Sequence, residues 1–228
     1  MRAAALIPNF DNARTLGDVI RRTLAVMPDV LVVDDGSTDA SWDVIMSFGS
    51  RLRSVRHPTN LGKGRALRDG FEALAAEGFT HAVALDADGQ HFPEDLPVLL
   101  DLAAAEPTAL IVGARDRRAA GAPRASRFGL WCSNAGLRVL RGVRIADSQS
   151  GLRCYPLAAI LGLGLRGDRY DFEMEALFEA ARAGIPIRSV PIRVSYAPEG
   201  GRVSHFRPVR DFLQIGSRVA RSLIRRRF

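Results

Sequence analysis

Short apolar runs at residues 3–7, 30–33, 52–55, 82–85 and 109–112, interrupted in the third by Arg53 and Ser54, punctuate the first 113 residues of this 228-residue chain. Between them, near 12–26, 39–48, 63–77 and 94–105, the apolar positions recur at helical spacing. A strand covered by helices on both faces is apolar at every position, whereas a half-exposed strand alternates. The pattern therefore predicts an α/β domain with a mostly parallel central sheet flanked by helices. Residues 115–125 read as a loop rich in Arg, Ala, Gly and Pro; then come an expected helix near 126–140, a short strand over 152–155 and a helix over 171–183. The run 185–196 carries Pro186 and Pro191, which suits edge strands because proline has no N–H to offer a neighbour. Gly200-Gly201 marks a loop, and a last helix is expected over roughly 208–226.

Open parallel sheets bind ligands beyond the carboxyl ends of their strands. The predicted ends here are Pro8–Asn12, Asp34–Ser37, His57–Asn60, Asp86–Gln90 and Gly113–Arg115, and three of the five carry carboxylates. Asp86-Ala87-Asp88 is the strongest of these signals. Two acids one residue apart, where the backbone turns at a strand end, can aim oxygens at one hard cation such as Mg²⁺ or Mn²⁺. Read structurally, the same residues form a turn leading into Phe92-Pro93. Asp35 is placed to accept hydrogen bonds from a base or ribose, while Ser37 or Asp39 suits a helix cap. Asn60-Leu61-Gly62-Lys63-Gly64 holds the single lysine of the chain. It lacks Walker spacing, so it reads either as a phosphate-approaching turn or as a plain loop-to-helix turn. Tyr170–Glu175 puts acids in the first turn of a helix, where the helix dipole favours them. None of His57, His81, His91 and His205 is paired at metal-ligand spacing.

Taken together, Pro8-x-Phe10-Asp11-Asn12, Val32-Val33-Asp34-Asp35-Gly36-Ser37, Asn60-Leu61-Gly62-Lys63-Gly64 and Asp86-Ala87-Asp88-Gly89-Gln90-His91 resemble, in order and spacing, the inverting family 2 glycosyltransferases of GT-A fold. The resemblance is greatest to dolichyl- or polyprenyl-phosphate mannose and glucose synthases. Asp147-Ser148-Gln149-Ser150-Gly151-Leu152-Arg153 and Ser204-His205-Phe206 extend it to about residue 210. It implies that Pro8, Phe10, Asn12, Val33 and Asp35 line a nucleoside pocket. It implies further that Asp86 and Asp88, flanking Ala87 and joined by Gln90, hold Mg²⁺ or Mn²⁺ on the diphosphate of a GDP- or UDP-sugar. Arg115 and Arg127 would contact phosphates, Arg202 would close over the donor, and Asp147 would lie near the acceptor. Asp11-Asn12 departs from the Asn-Glu pair usual in the family, which leaves metal or base specificity open.

The acceptor divides the readings. A lipid phosphate is already anionic, whereas a hydroxyl of a saccharide, lipid or small molecule needs a carboxylate such as Asp147 as base. Asp147 also has a plain structural reading, as a turn acid holding Arg153 or backbone. The reading furthest from catalysis is a nucleotide-binding module that kept the pocket.

Composition narrows the choice of partner. Hydrophobic residues make up 47% and charged residues 25%, a globular profile, while 7% aromatics do not suit a single-strand nucleic-acid binder. Net charge is +7, and all of it falls in residues 202–228, where eight arginines face one acid, Asp211. A neutral body with a basic end points to anionic lipid or phosphate rather than nucleic acid. Phe212, Ile215, Val219 and Leu223 share one face of the expected helix, with Arg218, Arg221 and Arg225 opposite. The expected organisation is one domain over 1–207, a nucleotide-binding half at 1–115 and an acceptor half at 116–207, followed by a basic amphipathic helix at 208–228. With two cysteines, no signal peptide and no apolar run near the roughly 20 residues of a membrane span, the expectation is a cytoplasmic protein. It would be peripheral on the inner face of the membrane, through the helix or a membrane-protein partner.

Overall fold

The computed structural model describes residues 1–116, 130, 133–135, 137–139, 142–169 and 171–195. Arg127, Arg202, the Ser204-His205-Phe206 motif and the expected 208–228 helix lie outside these residues. The described elements are β1 (Ala3–Asn9), α1 (Ala13–Val26), β2 (Val30–Asp34), α2 (Ser41–Met46), β3 (Arg53–Arg56), α3 (Lys63–Ala76) and β4 (His81–Ala84). After them come α4 (Leu96–Ala105), β5 (Leu110–Arg115), β6 (Arg153–Pro156), α5 (Leu157–Leu161), α6 (Asp171–Arg182) and β7 (Ile187–Ile192).

One seven-stranded sheet runs β3-β2-β1-β4-β6-β5-β7. The apolar runs explain it. Along β1, Ala4 and Leu6 join the core on one face and Ala5 and Ile7 the core on the other; β2 and β4 divide their residues the same way. Helices α3 and α6 cover the first face with Leu67, Phe71, Phe172 and Leu177, and α1 and α4 cover the second with Leu16, Ile20, Leu96 and Leu99. Burying each such side chain contributes about 1.5–3 kcal/mol, which outweighs strand propensities of ~1 kcal/mol and makes double-sided coverage decisive.

Strands β3, β2, β1 and β4 are mutually parallel, and β5 and β7 are parallel to each other. The exception is β6, antiparallel to both β4 and β5 and inserted between them. β7 is the sheet edge, where Pro191 is tolerated. Strand order reverses between β1 and β4, so the crevice beyond their carboxyl ends is the switch point at which such sheets take ligands. No helix among the described residues is long and apolar enough to cross a membrane.

Candidate active site

The loop after β1 is held in an uncommon conformation. Asp11 has φ 53°, the left-handed region that few residues other than glycine adopt, Asp being among those that tolerate it. Its carboxylate accepts from Thr38 N at 2.7 Å and so ties the loop to the Gly36–Asp39 turn after β2. Asn12 Nδ2 donates to the Phe10 carbonyl at 2.9 Å. Asp39 accepts from the N–H groups of Ala13 and Ser41, both at 2.9 Å, and thus sits at the starts of α1 and α2. The family departure at Asp11 is therefore a loop clasp. Pro8 is buried, and Val33 is fully enclosed in the core between α3 and the sheet.

At the end of β2 the two adjacent acids have separate tasks. Asp34, fully buried, accepts from Asn9 Nδ2 at 3.0 Å and lies 3.3 Å from Arg56 Nε. Asp35, 2% exposed, accepts from Leu61 N at 2.9 Å, Gly62 N at 2.7 Å and His57 Nδ1 at 2.7 Å. His57 Nε2 in turn lies 3.0 Å from Asp69 on α3. The N–H groups of the glycine-bearing turn are thus given to Asp35. Gly62, at φ 103°, packs with no room for a side chain against the Asp168 carbonyl, so this turn is built as structure. An open depression of about 420 Å³ at the ends of β2 and β3 is lined by Gly36, Ser37, Thr38, Arg56, His57 and Pro58. His57 and Pro58 fall within the strand end His57–Asn60 that the sequence marks out, whereas Arg56, the last residue of β3, does not.

Beyond β4, at the switch point, lie Asp86 and Asp88. Ala87 between them is buried, and its carbonyl accepts from Thr15 Oγ1 at 2.7 Å, which anchors the turn to α1. Lys63 Nζ stands 2.5 Å from Asp86 Oδ1 and His91 Nε2 3.8 Å from Oδ2. Asp88 accepts from Gln90 N at 3.0 Å. Burial alone would raise the Asp86 carboxyl, but Lys63, with His91 and Arg115, holds it below the usual range. For Asp88, burial together with the Asp86 charge outweighs the pull of the Gln90 N–H, Lys63 and Arg115 and pushes it up to about 6. Burial likewise takes His91 down to about 4, a neutral imidazole in the working range. The charge on Asp86 thus works against ionisation of Asp88.

Arg115, at the end of β5, grips Asp147 with a two-pronged fork, Nε to Oδ2 at 2.6 Å and Nη2 to Oδ1 at 3.0 Å. Gln149 N adds a third contact to the carboxylate at 3.1 Å, and Asp147 is 1% exposed. The turn acid therefore holds Arg115 and not Arg153. Arg153, fully buried on β6, donates instead to the carbonyls of Ser150 at 2.7 Å, Glu173 at 2.7 Å and Ser148 at 2.9 Å, and so shapes the 147–151 turn. Substituting Asp147→Asn is expected to destabilise the protein by about 2 kcal/mol, somewhat less than the ~3–5 kcal/mol of removing a buried partner outright, because the amide oxygen still accepts. Urea denaturation at pH 7 measures it.

Among the described residues no three His, Cys, Asp or Glu side chains gather into a metal cluster. The donor set at hand is the two carboxylates, oxygen ligands of the kind hard divalent cations take while keeping waters or phosphate oxygens. The mutual repulsion of Asp86 and Asp88 is what such a cation relieves, so the residues fit it.

A mostly parallel, helix-covered sheet with an acid pair at its switch point and basic groups beside that pair is the frame of a GT-A glycosyltransferase. Comparison with known proteins agrees. The profile of glycosyl transferase family 2 matches residues 5–150, and the chain belongs to that family. It is 31% identical over 205 residues to an undecaprenyl-phosphate mannosyltransferase of Micrococcus luteus, covering 84% of this chain and 83% of the relative. It is 27% identical over 216 residues to a UDP-N-acetylglucosamine–dolichyl-phosphate N-acetylglucosaminyltransferase of Methanococcus voltae, covering 84% of each. In fold it is similar to glucosyl-3-phosphoglycerate synthase of Mycobacterium tuberculosis, solved with Mn²⁺, UDP and phosphoglyceric acid. That match has a TM-score of 0.71 at 21% identity and covers 99% of this chain and 78% of the other.

Proposed function

We propose that this glycosyltransferase moves a sugar from a nucleoside-diphosphate sugar to the phosphate of a polyprenyl lipid, inverting the anomeric configuration. The observation that carries the reading is the Asp86–Asp88 pair at the switch point, with Asp88 pushed up to about 6 and Lys63 and Arg115 alongside. Asp86, Asp88 and Gln90 would hold Mg²⁺ or Mn²⁺. Bound there, the cation would stabilise charge on the departing diphosphate. Arg115, locked in place by Asp147, adds a fixed positive charge to the same field, and a fixed charge costs no reorganisation as the bond breaks. The depression beside Asp35 is where the nucleoside would sit, with Arg56 and His57 at its wall.

Two observations favour a phosphate acceptor over a hydroxyl. Relatives matched over most of their length carry polyprenyl- or dolichyl-phosphate names. Asp147, the candidate base, has its carboxylate engaged by the Arg115 fork and a backbone N–H, which suits orienting Arg115 rather than drawing a proton. A phosphate acceptor has no need of that proton transfer. The arginine-rich segment 202–228 would meet anionic lipid at ~1 kcal/mol per basic residue near the surface.

The test has two stages. UDP- and GDP-sugars are ranked by thermal shift with and without Mn²⁺, since a ligand of the native state raises its stability by RT ln(1 + [L]/Kd). The best donor is then offered with polyprenyl phosphate and with the corresponding free polyprenol. Product from the phosphate alone is expected. Product from the alcohol alone would transfer the assignment to hydroxyl acceptors.

A further inference from the structure

Of the 32 lysines and arginines in the chain, Lys63 is the single lysine, and it opens α3 between two acids on different elements. Its Nζ lies 2.5 Å from Asp86 Oδ1, after β4, and 3.0 Å from Glu173 Oε1, in the first turn of α6. The Lys63 side chain is 17% exposed and that of Glu173 12%, so neither charge is left to bulk solvent. The Glu173 backbone is anchored, its carbonyl accepting from the buried Arg153 at 2.7 Å. Opposite Lys63, Asp86 also faces His91 and, farther off, Arg115.

We propose that Lys63 is the built-in counter-cation of the Asp86 carboxylate, that it competes with the divalent cation for that carboxylate, and that Glu173 is the second berth which lets it yield. The proposal rests on the metal-dependent reading above. Three physical points lead to it. An ammonium at 2.5 Å already neutralises the Asp86 carboxylate, so binding a divalent cation there means displacing or repelling it. A lysine is a compact charge on a flexible stem, able to shift between two carboxylates, whereas the planar fork of arginine clamps one of them. And Glu173 gives the displaced ammonium an anionic partner within a side-chain rotation, so the charge is not stranded in a nearly enclosed site. Lys63 is a positioning residue in this account. It holds the Asp86 carboxylate in place before the cation arrives, and it sets the affinity with which the cation is taken.

The consequence is opposite to that of an ordinary structural ion pair. Breaking the pair should improve metal binding. The experiment titrates the purified full-length chain with Mn²⁺ alone, without donor, and reads free Mn²⁺ by electron paramagnetic resonance. Lys63→Met keeps length and removes charge; it is expected to bind Mn²⁺ at least about tenfold more tightly than wild type, because a unit repulsion beside a ligand carboxylate is gone. Lys63→Arg keeps the charge and is expected to bind no more tightly than wild type. Glu173→Gln removes the second berth and is expected to bind several-fold more weakly. An unchanged or weakened affinity in Lys63→Met overturns the proposal, as does Lys63→Arg tightening to the same degree. Should Lys63→Met fail to fold by circular dichroism, Glu173→Gln decides the matter, and unchanged or tighter binding there overturns the proposal. If wild type itself binds no Mn²⁺, the metal-dependent reading falls, an outcome distinct from binding that ignores Lys63.

Discussion

Replacing Asp88 by alanine is expected to lower kcat/KM for sugar transfer by about a thousandfold or more, the several kcal/mol that a Lewis-acidic cation contributes to a transition state, with the fold intact. Asp88 is not part of the hydrophobic core, and among the described residues its side chain accepts from Gln90 N. Its loss should even help the metal-free protein. A carboxyl whose folded-state pKa is raised binds its proton more tightly folded than unfolded, so wild type loses stability as pH rises from 3.8 to about 6. Asp88→Asn removes that loss. The neutral variant should melt higher than wild type above pH 6 without metal, and the difference should vanish toward low pH, where both side chains are uncharged. Activity and stability moving in opposite directions is the signature of a site whose charges are arranged for a ligand rather than for folding. Melting curves in a chelator across pH 4–8, beside initial rates in saturating Mn²⁺, measure both.

A second large effect is expected from Gly151→Ala, a residue that touches neither donor nor acceptor in the proposed scheme. Gly151 closes the 147–151 turn with its backbone against Asp86. A Cβ there would fall 2.9 Å from Cγ and 3.0 Å from Oδ1 of Asp86, and nearer still to Oδ2. Aspartate is too short to move only its tip, so the whole carboxylate must shift away from the cation site. A displacement near 1 Å in a reacting constellation costs about a hundredfold in rate. The expected result is a loss of that order in kcat/KM, together with weaker Mn²⁺ binding and an unchanged circular dichroism spectrum. Full activity in Gly151→Ala would mean that Asp86 is not where the work is done.

Much of this was legible in the chain. The apolar runs around Leu6, Val32 and Val83 are continuous because helices press on both faces, so periodicity alone distinguishes these strands from half-exposed ones. The rule that ligands gather at the carboxyl ends of parallel strands then picks out Asp35, Asp86 and Asp88. What periodicity could not reach were partnerships across the sheet. Strand β6 has an arginine in a four-residue run, and nothing local says that it inserts antiparallel between β4 and β5; pairing with both neighbours decides that. The Arg115–Asp147 fork spans 32 residues and Lys63–Glu173 spans 110. Such contacts depend on where elements dock, not on their own pattern. Asp35 shows the same limit. Its place at a strand end suits a ligand contact, yet three donors from the 57–62 segment already converge on its carboxylate.

The most direct measurement of the central claim is a crystal structure of the chain grown with Mn²⁺ and UDP or GDP, with anomalous diffraction collected at the manganese edge. One peak within coordination distance of both Asp86 and Asp88, and of the diphosphate oxygens, is the result this account requires. A peak elsewhere, or a diphosphate bound with those two carboxylates untouched, would contradict it.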